Sequence, residues 1–262
     1  MMNYTFCAQT DAGRTRKNNE DSVVFDEATR LAVLADGMGG YNAGEVASGM
    51  ATAFIRSELA RWLAEAGEQA QPGQVRRAIE ICVHNANLSI FNAAASNPQY
   101  AGMGTTLVMG VFRGNKLLLA HVGDSRCYRL RGQALTSITK DHSLLQEQID
   151  AGLLTPAQAA SSPNRNLVTR ALGVENSVLL EMHEHPVEPG DVYLMCSDGL
   201  NDMVADDAIA AILKTTLSLS GKATELVAKA NENGGRDNIS VLLTQVSGTP
   251  DSGGLISRLL GK

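Results

Sequence analysis

The most constraining stretch of the chain is residues 31–40, which read LAVLADGMGG. Residues 31–35 are all aliphatic, a pattern typical of a strand that is buried on both faces. The run stops at Asp36, and an ionised carboxylate at the mouth of a buried strand is costly unless a positive charge lies against it. Gly37 has no Cβ, so its carbonyl can turn toward the same point as that carboxylate. The pair is typical of half of a hard-cation site, although a single Asp-Gly is more often only a turn.

Similar constructions recur downstream. Asp124 and Asp198 each follow an apolar stretch and stand beside a glycine, and Asp237 directly precedes the strand-like residues 239–246. If these strand ends converge, the carboxylates repel one another unless cations bridge them. Because all the candidate ligands are oxygens, the set favours Mg²⁺ or Mn²⁺ over zinc. Two such ions about 4 Å apart can hold a bridging water, lower its pKa and aim it at phosphorus.

The composition of the chain argues against several classes of function. The chain has 262 residues, of which 44% are hydrophobic and 19% charged, and we expect one domain with a sizeable core. A net charge of −6 argues against nucleic-acid binding. No stretch approaches the roughly 18 apolar residues of a membrane span, and the N-terminus lacks signal-peptide features, so we expect a cytoplasmic protein. The cysteines form no CxxC pair and are expected to be reduced and mostly buried.

Apolar periodicity predicts the order of the elements. We expect helices at residues 45–65, 74–94, 206–216 and 222–231. We expect strands at residues 4–9, 22–25, 31–35, 105–112, 116–122, 126–131, 191–198 and 239–246, with a further short one within 133–139. No linker divides this series, so residues 1–247 are predicted to form a single catalytic domain, followed by a short tail at 248–262 in which 255–260 could form one helical turn.

Residues 141–173 differ from the rest of the chain, because they are polar and carry two prolines among short elements. Such a stretch is typical of a lid or insertion rather than of a core. His142 stands at its entrance, where it could belong to a helix cap or contact a substrate. We call residues 141–173 the flap segment.

Motifs spread over residues 11–246 occur in the order and spacing of one family. They are Arg16-x-x-x-Glu20-Asp21, Asp36-Gly37-Met38-Gly39-Gly40, Gly104-Thr105-Thr106, Val122-Gly123-Asp124-Ser125-Arg126, Ser197-Asp198-Gly199-Leu200 and Asp237-Asn238. On these residues the chain resembles the metal-dependent serine/threonine protein phosphatases of the protein phosphatase 2C type, and most of all their compact bacterial members. The flap segment resembles the flap of that family, including Asp141-His142-Ser143, Arg165-Asn166 and Thr169-Arg170-Ala171-Leu172-Gly173.

The resemblance implies an α+β fold, a four-layer α-β-β-α sandwich of two antiparallel β-sheets flanked by helices, with the metals in a cleft at one end. It implies two bridged Mn²⁺ or Mg²⁺ ions and a third, more weakly held one. The implied ligands are Asp36 for both bridged ions, Asp198 and Asp237 for the first, the Gly37 carbonyl with Glu20 and Asp21 for the second, and Asp124 with Asp198 for the third. The guanidinium of Arg16 is a planar fork suited to two phosphate oxygens.

The expected function is hydrolysis of phosphoserine and phosphothreonine by a metal-bridged water, without a covalent intermediate. We assign catalysis to Arg16, Asp36, Asp198 and Asp237. By resemblance, the partners are phosphorylated proteins, a cognate bacterial serine/threonine kinase and forkhead-associated proteins, and the enzyme is expected to be a monomer. Met38 stands where animal members carry a histidine proposed as the acid for the leaving alkoxide, so that acid stays unassigned.

Two alternatives remain open from the sequence. The chain could be a catalytically inactive module that binds phosphoproteins, although no metal-site residue is missing. It could also be a metal phosphatase that acts on other phosphoesters, which profiling against phosphopeptides, phosphotyrosine and nucleotides would reveal.

Overall fold

The computed structural model describes residues 2–40, 43–155, 158 and 167–248. Its strands are β1 (Met2–Asp11), β2 (Asp21–Asp26), β3 (Leu31–Met38), β4 (Gly104–Thr105), β5 (Leu107–Arg113), β6 (Lys116–Val122), β7 (Arg126–Arg131), β8 (Ala134–Ser137), β9 (Glu181–Pro186), β10 (Val192–Cys196) and β11 (Ile239–Gly248). Its helices are α1 (Ala43–Ala66), α2 (Pro72–Ser96), α3 (Leu144–Asp150), α4 (Asp198–Asn201), α5 (Asp206–Leu213) and α6 (Leu219–Glu232), with a 3₁₀ turn at Pro98–Tyr100.

The strands form two sheets. One has the order β1-β11-β10-β7-β8, and the other has the order β2-β3-β5-β6-β9 with the short β4 paired to β3. Every pairing is antiparallel. The predicted α+β fold with two antiparallel sheets and helices is therefore confirmed.

Alternation of side chains along the strands produces three apolar layers. In β3, Leu31 and Val33 pack in a cluster with α1 and α2, whereas Leu34 points to the opposite face and joins the cluster between the two sheets. In β10, Tyr193 lies in that central cluster, and Leu194 packs with α5 and α6. Because both sheets are covered on both faces, the layers run helix, sheet, sheet, helix. This explains why the central strands are continuous apolar runs.

Most predicted elements are present, with informative differences at their ends. Strands β6 and β7 have the predicted limits. Strand β3 runs three residues beyond Ala35, because Gly37 and Met38 pair with β4. Strand β10 ends at Cys196, and Asp198, which was predicted to end a strand, begins α4 instead.

Parts of two predictions fall outside the described residues. In the flap segment the structure describes α3, whose first turn is capped by the Ser143 hydroxyl, but the predicted motif at Arg165 and Asn166 is outside the described part. The predicted helical turn at residues 255–260 also lies outside it. Among the helices that the structure describes, none is long and apolar enough to cross a membrane.

The cysteines occupy the apolar positions that their neighbours predict. Cys82, Cys127 and Cys196 are buried free thiols, and Cys7 is partly buried. Burial raises the pKa of Cys82 and of Cys196 to about 12. These thiols are therefore protonated packing groups and not nucleophiles.

The start of α1 lies against the end of β3 through two glycines. A Cβ on Gly37 would come within 2.1 Å of the Gly44 carbonyl oxygen and 2.5 Å of the Glu20 carbonyl oxygen. A Cβ on Gly44 would lie 2.7 Å from the Gly37 carbonyl carbon. The absence of side chains at these two positions thus brings the backbones of β3, α1 and the residue before β2 together beside Asp36.

We predict that Gly37→Ala destabilises the protein by about 3 kcal/mol, because backbone atoms on two elements must move to admit the methyl group. The control is Gly49→Ala in α1, where a Cβ meets none of the described residues within 4 Å. That control should be stabilising by about 0.5–1 kcal/mol. Urea unfolding of both variants measures the difference, and equal stabilities would contradict the close approach.

Candidate metal centre

A pocket of about 200 Å³ lies where the end of β3, the start of α4 and the loop before β11 meet. Acidic side chains dominate its walls. The lining residues are Arg16, Glu20, Asp36, Gly37, Met38, Gly39, Thr106, Asp124, Val168, Asp198 and Asp237. The structure thus brings together seven of the eight residues proposed from the sequence, and Asp21 is the one outside the lining. We refer to this site as the acidic pocket.

Backbone pairing fixes the position of Asp36. Its amide donates to the Thr106 hydroxyl at 3.0 Å, and its carbonyl accepts from the Thr106 amide at 2.9 Å and the Thr105 hydroxyl at 2.8 Å. The Thr106 hydroxyl in turn contacts that of Ser125 at 2.8 Å. The Gly-Thr-Thr motif therefore holds the backbone of Asp36 so that its carboxylate reaches the pocket. The sequence contained these threonines, but their roles depend on a contact 70 residues distant.

The charge in the acidic pocket is poorly compensated. Burial raises the pKa of Asp36 well above its usual range, and Asp21 and Asp198 raise it further. Burial, followed by repulsion from Asp124 and Asp237, does the same to the pKa of Asp198. Two partly buried carboxyls with such shifts resist ionisation unless positive charge is supplied.

Asp21 stands behind the pocket. It is opposite Asp36 in the β2–β3 register, and its Oδ2 accepts a 2.8 Å hydrogen bond from the Ser197 hydroxyl. Its Oδ1 is buried and has no hydrogen-bond partner in the structure. Burial raises its pKa to about 6. The sequence could not assign Ser197 this role, because the two residues are 176 positions apart.

The residues fit hard divalent cations. The donors are carboxylate and carbonyl oxygens, and the described lining residues include no cysteine or histidine. The orphaned Asp21 Oδ1 and the raised pKa values of Asp36 and Asp198 are the features expected when the natural counter-charge is a bound ion.

Asn238 organises the loop that carries Arg16. Its Oδ1 accepts from the Glu20 amide at 2.8 Å, and its Nδ2 donates to the carbonyls of Ala12 and Asn18 at 3.1 and 2.9 Å. Arg16 Nη2 donates to Asp237 Oδ2 at 2.8 Å. A guanidinium has five N–H donors, so this one contact leaves capacity for a phosphate group. In the sequence Asn238 is recognisable only as part of a motif, and its contacts with residues 12–20 are visible only in the structure.

A second ion pair attaches the flap segment beside Asp124. Arg126 donates from Nε to Asp141 Oδ1 at 2.9 Å and from Nη2 to Asp141 Oδ2 at 2.7 Å. Its Nη1 contacts the Tyr128 hydroxyl at 3.1 Å. This bidentate ion pair is partly buried, and it fixes the first residue of the flap segment to β7. On the returning side, Val168 of the flap segment lines the acidic pocket.

Comparison with known proteins places the chain in a family. Residues 9–232 match the model of a family described as protein phosphatase 2C. The chain is 41% identical over 242 residues to the serine/threonine protein phosphatase PstP of Mycobacterium tuberculosis, a match that covers 92% of this chain and 45% of PstP. The chain therefore spans about half the length of that relative. It is 38% identical over 240 residues to the serine/threonine phosphatase stp of Listeria monocytogenes, covering 90% of this chain and 94% of the relative.

A solved structure agrees with these matches. The crystal structure of the catalytic domain of PstP in complex with two manganese ions superposes with a TM-score of 0.82 at 37% identity, covering 95% of this chain and all of that one. The chain belongs to the bacterial serine/threonine phosphatases of the protein phosphatase 2C family, as its motifs predicted.

We predict that Asp124→Asn stabilises the protein in EDTA, and increasingly so as pH rises. Burial, followed by repulsion from Asp141, raises the pKa of Asp124 to about 6 in the fold, against about 3.9 when unfolded. Protonated Asp124 therefore favours the fold below pH 4, and that stability is lost as pH rises through about 6. The variant and the wild type should melt together below about pH 4 and differ by on the order of 5 °C near about pH 7.5.

The measurement is differential scanning calorimetry of both proteins across that range. Taking the difference between them removes the titration of His121 and His185, whose lowered pKa values act in the opposite direction in both proteins. A difference in melting temperature that does not change with pH would show that Asp124 carries no uncompensated charge.

Proposed function

We propose that this protein phosphatase 2C member hydrolyses phosphoserine and phosphothreonine in proteins, using bound Mn²⁺ or Mg²⁺ ions. The observation that carries the proposal is the convergence of carboxylates and an arginine on the acidic pocket. The raised pKa values of Asp36 and Asp198 support a cation-dependent site. Because the chain spans only about half of PstP, activity, substrates and partners of the whole protein are part of this proposal.

The proposed roles divide among the residues around the pocket. Asp36 lies centrally and would contact two ions, with Asp198 and Asp237 on one side and Glu20 with the Gly37 carbonyl on the other. Asp124 and Asp198 would hold a third, weaker ion. Asp21 would reach the ion on the Glu20 side through a water or after a small rotation of its side chain, since its Oδ1 is buried next to Asp36 and outside the pocket lining. When bound, two divalent ions activate the attacking water and offset the charge on the phosphoryl oxygens.

The chain itself supplies substrate binding and orientation. Arg16 is half-exposed at the pocket rim, where its guanidinium would bind two phosphate oxygens. The phosphate would then compete with Asp237, the present partner of Arg16, for the guanidinium. Met38 lines the pocket, and its thioether cannot donate a proton. The leaving serine or threonine oxygen would thus take its proton from solvent or from another group in the pocket.

We further propose that residues 1–247 act as a single catalytic domain. The family match over residues 9–232 and the continuity of both sheets from β1 to β11 support this extent. The proposed partners are phosphorylated proteins, the serine/threonine kinase that modifies them and forkhead-associated proteins among the substrates.

We predict that the protein releases phosphate from a phosphothreonine peptide with Mn²⁺, and that EDTA abolishes the release. Asp198→Asn should lower kcat at least about 100-fold, because even partners outside the ligand shell affect metal sites by 10–100-fold. The variant should keep its fold, which the melting temperature measures, since it removes a buried charge. The control peptide carries phosphotyrosine.

Two outcomes would contradict the proposal. Mn²⁺ binding without turnover on any phosphopeptide would favour the binding-module alternative. Turnover on nucleotides or phosphotyrosine but not on phosphothreonine would favour a phosphatase with other substrates.

A further inference from the structure

Away from the walls of the acidic pocket, three side chains that often ligate metals lie close together. His121, His142 and Glu181 bring ligand atoms within 4.8 Å of one another. The two histidines are buried, and their rings are stacked with centroids 4.7 Å apart and planes 12° from parallel. They join β6, the start of the flap segment and β9.

The hydrogen bonds of His142 argue against a metal at this cluster. The Gly123 amide donates to His142 Nδ1 at 3.1 Å, so Nδ1 carries no proton. The single proton of the neutral ring is then on Nε2, which donates to Glu181 Oε2 at 3.0 Å. A cation at Nε2 would require either a fully deprotonated ring or a proton on Nδ1 facing the Gly123 N–H. The arrangement therefore serves to hold the ring in one tautomer and one orientation.

The residue held by this ring directly precedes Asp124. His142 and Gly123 are joined twice, since the His142 amide also donates to the Gly123 carbonyl at 2.9 Å. Gly123 has φ +103°, in the region that favours glycine, and a Cβ there would lie 2.7 Å from the Thr106 side chain. Its peptide is consequently confined between Thr106 on one side and His142 on the other. The next side chain, Asp124, is buried and lines the acidic pocket.

The same histidine attaches the flap segment. Its carbonyl accepts from the Thr169 amide at 2.8 Å, and the Leu144 amide donates to the Leu167 carbonyl at 2.9 Å. These bonds tie the outgoing and returning ends of the flap segment together around Val168, which lines the acidic pocket. His142 thus contacts both the backbone before Asp124 and the base of the flap segment.

We propose that His142 is a positioning residue: with its ring oriented by Glu181, it sets the Gly123–Asp124 peptide and thereby the direction in which the Asp124 carboxylate meets a cation. This inference rests on the proposed function in one respect, namely that the acidic pocket binds divalent metal. Of the ions proposed for the pocket, the third and most weakly held one, at Asp124, is the ion whose binding depends on His142. His183, which contacts Glu181 from the exposed side at 2.8 Å, has no part in this control.

Two substitutions of His142 test the two hydrogen bonds of its ring one at a time. His142→Asn places a side-chain oxygen near the position of Nδ1 and keeps an acceptor for Gly123. His142→Gln places an amide nitrogen near the position of Nε2 and keeps a donor for Glu181, but it loses the Gly123 acceptor. The full chain of each is titrated with Mn²⁺ by calorimetry, and exchange of the Gly123 amide is followed without metal. His183→Ala is the matched control.

The expected result is an asymmetry between the two variants. His142→Gln should weaken the weakest Mn²⁺ binding event by about 10- to 100-fold, the range for partners outside the ligand shell, and speed exchange of the Gly123 amide. His142→Asn should weaken it by less, and His183→Ala should match the wild type. In an Asp124→Asn background, His142→Gln should have no further effect on Mn²⁺ binding, because its influence passes through Asp124.

Equal Mn²⁺ affinities in wild type and His142→Gln, or a larger loss in His142→Asn, would overturn the inference. A loss that persists undiminished in the Asp124→Asn background would also overturn it, since the effect would then be a general one on the fold. Phosphate release, measured separately, decides the proposed function. A wild type that binds Mn²⁺ with the expected His142 dependence but releases no phosphate would support this inference and contradict the proposed function.

Discussion

The interaction on which the site depends is the mutual repulsion of partly buried carboxylates. Asp36 and Asp198 lie among other aspartates, and their partial burial limits the screening of this repulsion by water. A chain gains nothing in stability from this arrangement, so it persists only because the surrounding fold is stable enough to enforce it. Arg16, bonded to Asp237, is the one positive side chain among the lining residues that the structure describes. In the proposed function, divalent cations would provide the larger counter-charge that these carboxylates need.

The fold enforces the arrangement through rigid backbone. Both sheets are covered on both faces, so the strands that deliver the aspartates are fixed along their length by apolar packing. At the pocket itself, where apolar packing ends, backbone hydrogen bonds and close glycine contacts replace it. Thr105 and Thr106 hold the peptide of Asp36, and Gly37 admits α1 against β3. Preorganised backbone of this kind is what a catalytic site needs, because little reorganisation remains when ligands bind.

The sequence predicted what local patterns determine. Strands β6 and β7 were predicted to the residue because glycine-containing turns stand at their ends, and the motif order identified the family and the fold. What it missed depends on contacts between distant residues. Asn238 bonds a residue 218 positions away, and Ser197 bonds Asp21 across 176. His142 was expected to lie in a helix-capping neighbourhood or to contact a substrate, and it does directly precede the cap Ser143, but the sequence did not reveal that its ring bonds Gly123 and Glu181. No local periodicity could have revealed these partners.

The central claim is that the acidic pocket binds two divalent ions that share Asp36. Anomalous diffraction at the manganese edge, from crystals of this chain grown with Mn²⁺, tests it most directly. We expect two anomalous peaks in contact with the Asp36 carboxylate, one of them also in contact with Asp198 and Asp237. Peaks absent from the pocket, or ions held without Asp36, would contradict it.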